Sequence, residues 1–118
     1  MRLGAHVTTV AEGSLASMLY GGKTKVSERH RHRYEINPDY VERLQAAGLT
    51  FSGVGDTGDR MEVCELSRGT HPFYLGMQAH PEFKSRPETP SPPYLAFIKA
   101  AGGVGTREEG GGKRARTA

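Results

Sequence analysis

Sixteen glycines and seven prolines punctuate these 118 residues, and that density limits the chain to short elements joined by many turns. Ser14 to Tyr20 is predicted to form a short helix closed by Gly21-Gly22. A second helix starts at Asn37, a good N-cap, with Pro38 at the first helical position; Val41, Leu44 and Ala47 supply an apolar stripe, and Gly48 ends it. Leu49 to Val54 reads as a strand, Asp56-Thr57-Gly58-Asp59 as a turn, and Arg60 to Leu66 as a returning strand, so the three together predict a hairpin. Phe73 to Ala79 is a third strand with Phe73, Leu75, Met77 and Ala79 on one face. Ser91 caps a last helix that Pro92 opens, with Tyr94, Leu95 and Ile98 as its apolar face up to Gly102-Gly103. Helices interspersed with strands place the chain in the α/β class.

Hydrophobic residues make up 36% of the chain and there is no Trp, a low content for a self-sufficient core at a length that already buries little of its surface. Surface contributed from elsewhere is therefore expected. The single cysteine, Cys64, excludes an internal disulfide framework and a cysteine-rich zinc site. The N-terminus lacks the apolar stretch of a signal peptide, and no run approaches the roughly 20 apolar residues that span a bilayer; a cytoplasmic protein with no membrane contact is the expectation. Of the formal charge of +3, the segment 104–118 carries most, with four basic residues against two acidic ones. Residues 1–103 are read as the globular part, and 104–118 as a disordered, basic, Gly-rich tail. A nearly neutral globular part speaks against nucleic acid as a partner.

Two segments carry chemistry. Met77-Gln78-Ala79-His80-Pro81-Glu82-Phe83 puts a histidine just beyond a strand and a glutamate two positions later. Pro81 keeps His80 out of helical conformation, and the stiff spacer allows the Glu82 carboxylate to meet the imidazole from behind, fixing its tautomer while the other ring nitrogen faces a nucleophile. The same residues also suit a plain turn with a capped loop. The second segment, Glu28-Arg29-His30-Arg31-His32-Arg33-Tyr34-Glu35, puts Arg29, Arg31 and Arg33 on one face of an extended chain and His30 and His32 on the other. A row of guanidiniums suits a carboxylate or phosphate; the alternative is a solvated edge strand whose arginines pair with Glu28 and Glu35.

These segments, with Leu49-Thr-Phe-Ser-Gly53, His71-Pro-Phe-Tyr74, Gln78-Ala-His-Pro-Glu-Phe-Lys-Ser-Arg-Pro87 and Pro90-Ser-Pro92, resemble the C-terminal part of the class I glutamine amidotransferase domain of the CTP synthase family, in one register over about residues 1–102. His-Pro-Glu is common to class I amidotransferases; the Arg-His-Arg-His-Arg-Tyr run and the Pro-Ser-Pro are more specific to CTP synthases and argue against GMP or carbamoyl-phosphate synthetase.

The resemblance implies an incomplete mixed sheet with flanking helices. It implies that His80 is the base and Glu82 the orienting acid of a Cys-His-Glu triad, that Arg33 holds the substrate L-glutamine, and that Arg31 lies near an allosteric GTP site. It implies no metal and no cofactor in this segment; ATP, Mg²⁺ and the GTP effector go with the full-length enzyme, a homotetramer whose separate synthetase domain uses the ammonia to convert UTP to CTP. The family's nucleophile lies on a Gly-x-Cys-x-Gly elbow upstream of the Met-Arg-Leu-Gly stretch, so the expectation is that this chain lacks it. Cys64, flanked by Val63 and Glu65 in a predicted strand, has no glycine to make such an elbow and is read as packing. The chain alone is then expected not to hydrolyse glutamine and to expose apolar edges; the alternative is a non-catalytic fragment that binds or regulates full-length subunits.

Overall fold

The computed structural model describes residues 2–55, 58 and 60–103. In chain order these form β1 (Arg2–Val10), α1 (Leu15–Leu19), β2 (Lys25–His32), a 3-10 turn (Pro38–Tyr40) running into α2 (Val41–Ala46), β3 (Thr50–Gly55), β4 (Met61–Glu65), β5 (Leu75–Met77), a second 3-10 turn (Pro81–Lys84) and α3 (Pro92–Ala101). The five strands make one sheet in the order β2-β1-β3-β4-β5. Every pairing is antiparallel, so the sheet of the described residues is antiparallel rather than mixed, within the α/β class that was expected.

β1 and β2 form a long ribbon, registered from Arg2 opposite His32 to Thr9 opposite Lys25. Alternation along β2 buries Val26, Glu28 and His30 and exposes Lys25, Ser27, Arg29 and Arg31, as the period of two requires. Sequence reading assigned no strand to residues 2–10. The visible apolar alternation there, Leu3 and Val7, points outward with 59% and 40% exposure, while Thr8 and Val10 turn in. The predicted β3–β4 hairpin is present, with a bulge between Phe51 and Gly53. A Cβ on Gly53 would lie 2.5 Å from Val63 Cγ2 and 2.6 Å from Val63 Cβ, which is the packing reason for glycine there. The predicted turn 56–59 (Gly58 excepted) and the tail 104–118 lie outside the described residues.

The core is small: Val10, Ala16, Val26 and Val63, with Tyr20, Leu75 and Met77 packed against it. α1 lies on this core and is held by polar groups at both ends. Ser14 Oγ accepts from Ser17 N–H at 3.1 Å, and the buried Glu65 carboxylate accepts from Leu15 N–H at 2.9 Å and Ala16 N–H at 3.1 Å. At the other end Gly22, at φ 86°, donates to Ser17 O at 2.8 Å, a left-handed closure that glycine alone adopts without strain.

Three expectations need correction. β5 is shorter than Phe73 to Ala79, because only Leu75–Met77 pair with β4. Val41 and Leu44 of α2 are not buried; that helix has no buried residue and lies at the surface after the Asn37-capped turn. α3 runs where predicted, but Ser91 Oγ makes no capping bond and the face of Tyr94, Leu95 and Ile98 is exposed.

β2 and β5 are opposite edges of the sheet, yet the chain after β5 reaches β2. The His80 N–H donates to Arg29 O at 2.8 Å, and Lys84 Nζ donates to Ser27 O at 2.8 Å. The sheet therefore curls, and the segment following its last strand closes over its first edge.

Candidate active site

His80 follows β5 by three residues, with non-helical backbone at φ −110° and ψ 80°. Pro81 excludes helix at His80 and opens the tight turn Pro81–Lys84, closed by Phe83 N–H to His80 O at 3.1 Å. That turn folds the glutamate back: His80 Nδ1 and Glu82 Oε2 are 2.8 Å apart. The hydrogen bond from His80, first among its causes, lowers the Glu82 pKa, and the Tyr94 hydroxyl adds a smaller effect of the same sign. An ionised carboxylate only accepts, so Nδ1 carries the proton and Nε2 is left as the basic nitrogen. The Phe83 ring stacks on the imidazole, centroids 5.0 Å apart and planes inclined by 16°. Both side chains remain open to solvent, at 40% and 46%.

The arginine run divides. Arg29 and Arg31 project outward from β2, and Arg33 lies in the bend beyond it, exposed. Among the described residues no side-chain partner is found for any of the three. Glu35 pairs instead with Arg60, Oε2 to Nε at 3.3 Å, and Glu28 turns inward to accept the Tyr20 hydroxyl. The structure thus brings His80 and Glu82 together and ties their backbone to Arg29. Arg33 stands four residues on, at most about 14 Å along the chain, and among the described residues no hydrogen bond or ion pair joins it to the dyad. His30 and His32 face the other way as a hydrogen-bonded pair, Nδ1 to Nε2 at 3.1 Å.

Cys64 is the penultimate residue of β4, opposite Gly76 of β5. Its sulfur fills the space a Gly76 side chain would take, with a Cβ there only 2.8 Å away. Burial pushes the thiol pKa up, which keeps it protonated and weak as a nucleophile. A recess of about 220 Å³ beside it is lined by Ile36, Met61, Met77 and Gln78 among others. Sequence reasoning missed the contributions of Phe83, Lys84 and Tyr94. The first two stand next to the motif and were open to notice; Tyr94, twelve residues on, was read only as helix stripe.

Residues 2–100 match the model of the glutamine amidotransferase class-I family. The chain belongs to the class I glutamine amidotransferases. Within them it is similar to CTP synthases: 54% identical over 101 residues to that of Archaeoglobus fulgidus, and 55% over 105 residues to that of Methanopyrus kandleri. The matches take in 86% and 89% of this chain but only 18% and 19% of those relatives, so this amidotransferase chain spans about a fifth of their length. In structure it is similar to the glutaminase domain of Trypanosoma brucei CTPS, solved with bound acivicin, at a TM-score of 0.82 and 41% identity, over 89% of this chain and 41% of that one. Among the described residues no helix is long and apolar enough to cross a membrane.

Proposed function

We propose that this chain supplies the histidine and glutamate of a glutaminase site in a CTP synthase. The single observation that carries the reading is the 2.8 Å hydrogen bond between His80 Nδ1 and Glu82 Oε2 in a chain of amidotransferase type. In this reading a cysteine outside the 118 residues is the nucleophile. His80 Nε2 takes the thiol proton as sulfur attacks the side-chain amide carbon of L-glutamine, and Glu82 stabilises the imidazolium that results. The same proton passes to the amide nitrogen as the C–N bond breaks, releasing ammonia and leaving a thioester. Water, deprotonated by His80, then hydrolyses the thioester to glutamate and restores the thiol. Arg33 is assigned to the glutamine carboxylate or its surroundings, where its planar fork of donors suits an anion, and Arg31 to the neighbourhood of the GTP effector.

The rest belongs to the longer protein. A synthetase domain uses ATP and Mg²⁺ to activate UTP for amination to CTP, in a cytoplasmic homotetramer. No metal or cofactor is assigned to the present segment. The test is direct. The purified chain should release no ammonia from glutamine, whereas the same residues joined to the upstream part of the domain should do so, and Cys64→Ser should leave that activity intact. Turnover by the chain alone, abolished by Cys64→Ser, would overturn the reading. The alternative, a non-catalytic fragment that binds full-length subunits, draws support from the exposed apolar face of α3; co-purification with full-length enzyme tests it.

A further inference from the structure

The turn that carries Glu82 is saddled across β2. One anchor is His80 N–H to Arg29 O and the other Lys84 Nζ to Ser27 O, each at 2.8 Å. The residue between the two anchor points is Glu28, whose side chain turns inward and is only 3% exposed. Its Oε2 accepts from the Tyr20 hydroxyl, while its Oε1 is buried with no hydrogen-bond partner among the described residues. A half-satisfied buried carboxylate costs stability. Holding the strand down does not require it, since Val26 occupies the preceding inward position with an apolar side chain.

Charged groups of the dyad turn act on this carboxylate. Lys84 attracts its ionised form and Glu82 repels it. From the other packed elements it faces Tyr20, the residue that ends α1, and its register partner His6 of β1, and on its own strand His30 is the next inward residue.

We propose that Glu28 is a positioning residue for the His80–Glu82 dyad, acting through the turn that bridges it. The idea rests on the dyad reading given above. Ionised Glu28 draws Lys84 onto the strand at one end of the turn and pushes the Glu82 carboxylate outward at the other, towards the imidazole. Tyr20 holds the Glu28 carboxyl in place for this. Burial raises the pKa of both partners, so the push is complete only above the ordinary carboxylate range.

The tautomer of His80 reads this positioning, because the strength of the Glu82 contact sets how far the proton prefers Nδ1 over Nε2. It can be measured from imidazole ¹⁵N shifts of the full 118-residue chain at about pH 8, in wild type, Glu28→Gln and Tyr20→Phe, with exposed His71 as internal control. The ratio of Nδ1–H to Nε2–H at His80 should fall about threefold or more in Glu28→Gln and by less in Tyr20→Phe, with His71 unmoved. An unchanged ratio in folded Glu28→Gln overturns the proposal; should that variant not fold, an unchanged ratio in Tyr20→Phe does so. Because the readout is a proton position and not turnover, it separates the two ideas. A shifted ratio in a protein whose glutaminase ignores His80→Ala would sink the dyad's catalytic role but not its link to Glu28.

Discussion

The two helices at the ends of the chain differ in a way that inverts their apparent strength. α1 has five residues, too few to be stable alone, yet Leu15, Ala16 and Ser17 are buried, and Glu65 and Gly22 satisfy its ends from outside and from the following turn. α3 has ten residues and opens on proline, but of these only Pro93 is buried, and Tyr94, Leu95, Phe97 and Ile98 stand 48%, 38%, 54% and 66% exposed. The short helix is held by the sheet; the long one offers the sheet little and leaves apolar surface uncovered. A cluster of exposed apolar side chains on one helix is the kind of surface that another element can cover. In the function proposed here, the remainder of the amidotransferase domain covers it.

The sharpest way to break this contrast is to disturb the sheet beneath α1. Gly53→Ala drives a Cβ into Val63, and should cost about 3 kcal/mol in urea unfolding, since backbone and a core side chain must both move. Next, Glu65→Ala strands two buried N–H groups at the start of α1, with an expected loss of about 2 kcal/mol. At α3, by contrast, Ile98→Ser should change stability by no more than about 0.5 kcal/mol, because that side chain is 66% exposed and little contact is lost. A loss at Ile98 as large as that at Glu65 would show that α3 is packed after all.

The two glutamates around the dyad differ in pH response. Burial raises the Glu28 pKa above its ordinary value of 4.5. The folded chain therefore keeps a proton that the unfolded chain gives up, so stability is fullest below the unfolded carboxylate's range and is lost as pH rises towards the folded value. Glu82, lowered by its bond from His80, gives a smaller contribution of opposite sign, present above the carboxylate range and lost as pH falls through it. Melting temperatures across this interval should show Glu28→Gln gaining on wild type as pH rises. A parallel pair of curves would mean that Glu28 does not titrate in this way.

What could be read in advance was local. The short helix before Gly21-Gly22, the cap at Asn37, the β3–β4 hairpin and the His-Pro-Glu turn are each written in a few adjacent residues. What escaped was set by distant partners. Glu65 reaches α1 from about fifty positions away, and His80 finds Arg29 only because the sheet curls. β1 was hidden because its inward face carries Thr8 and His6 beside Val10, while Leu3 and Val7 face out. One of the two readings of the arginine run paired Glu28 with the arginines of its own strand; the strand period turns it to the opposite side, where it meets Tyr20. Cys64 was legible as packing from its neighbours, and Gly76 supplies the reason.

The base-and-orienter assignment is best tested by glutamine hydrolysis in a polypeptide joining these residues to the upstream part of the domain. His80→Ala should lower kcat by about a thousandfold with KM little changed, and Glu82→Gln by about a hundredfold, the order of effect expected for a proton-transfer base and the group that holds it. A His80→Ala enzyme that still turns over within a few-fold of wild type would contradict the assignment.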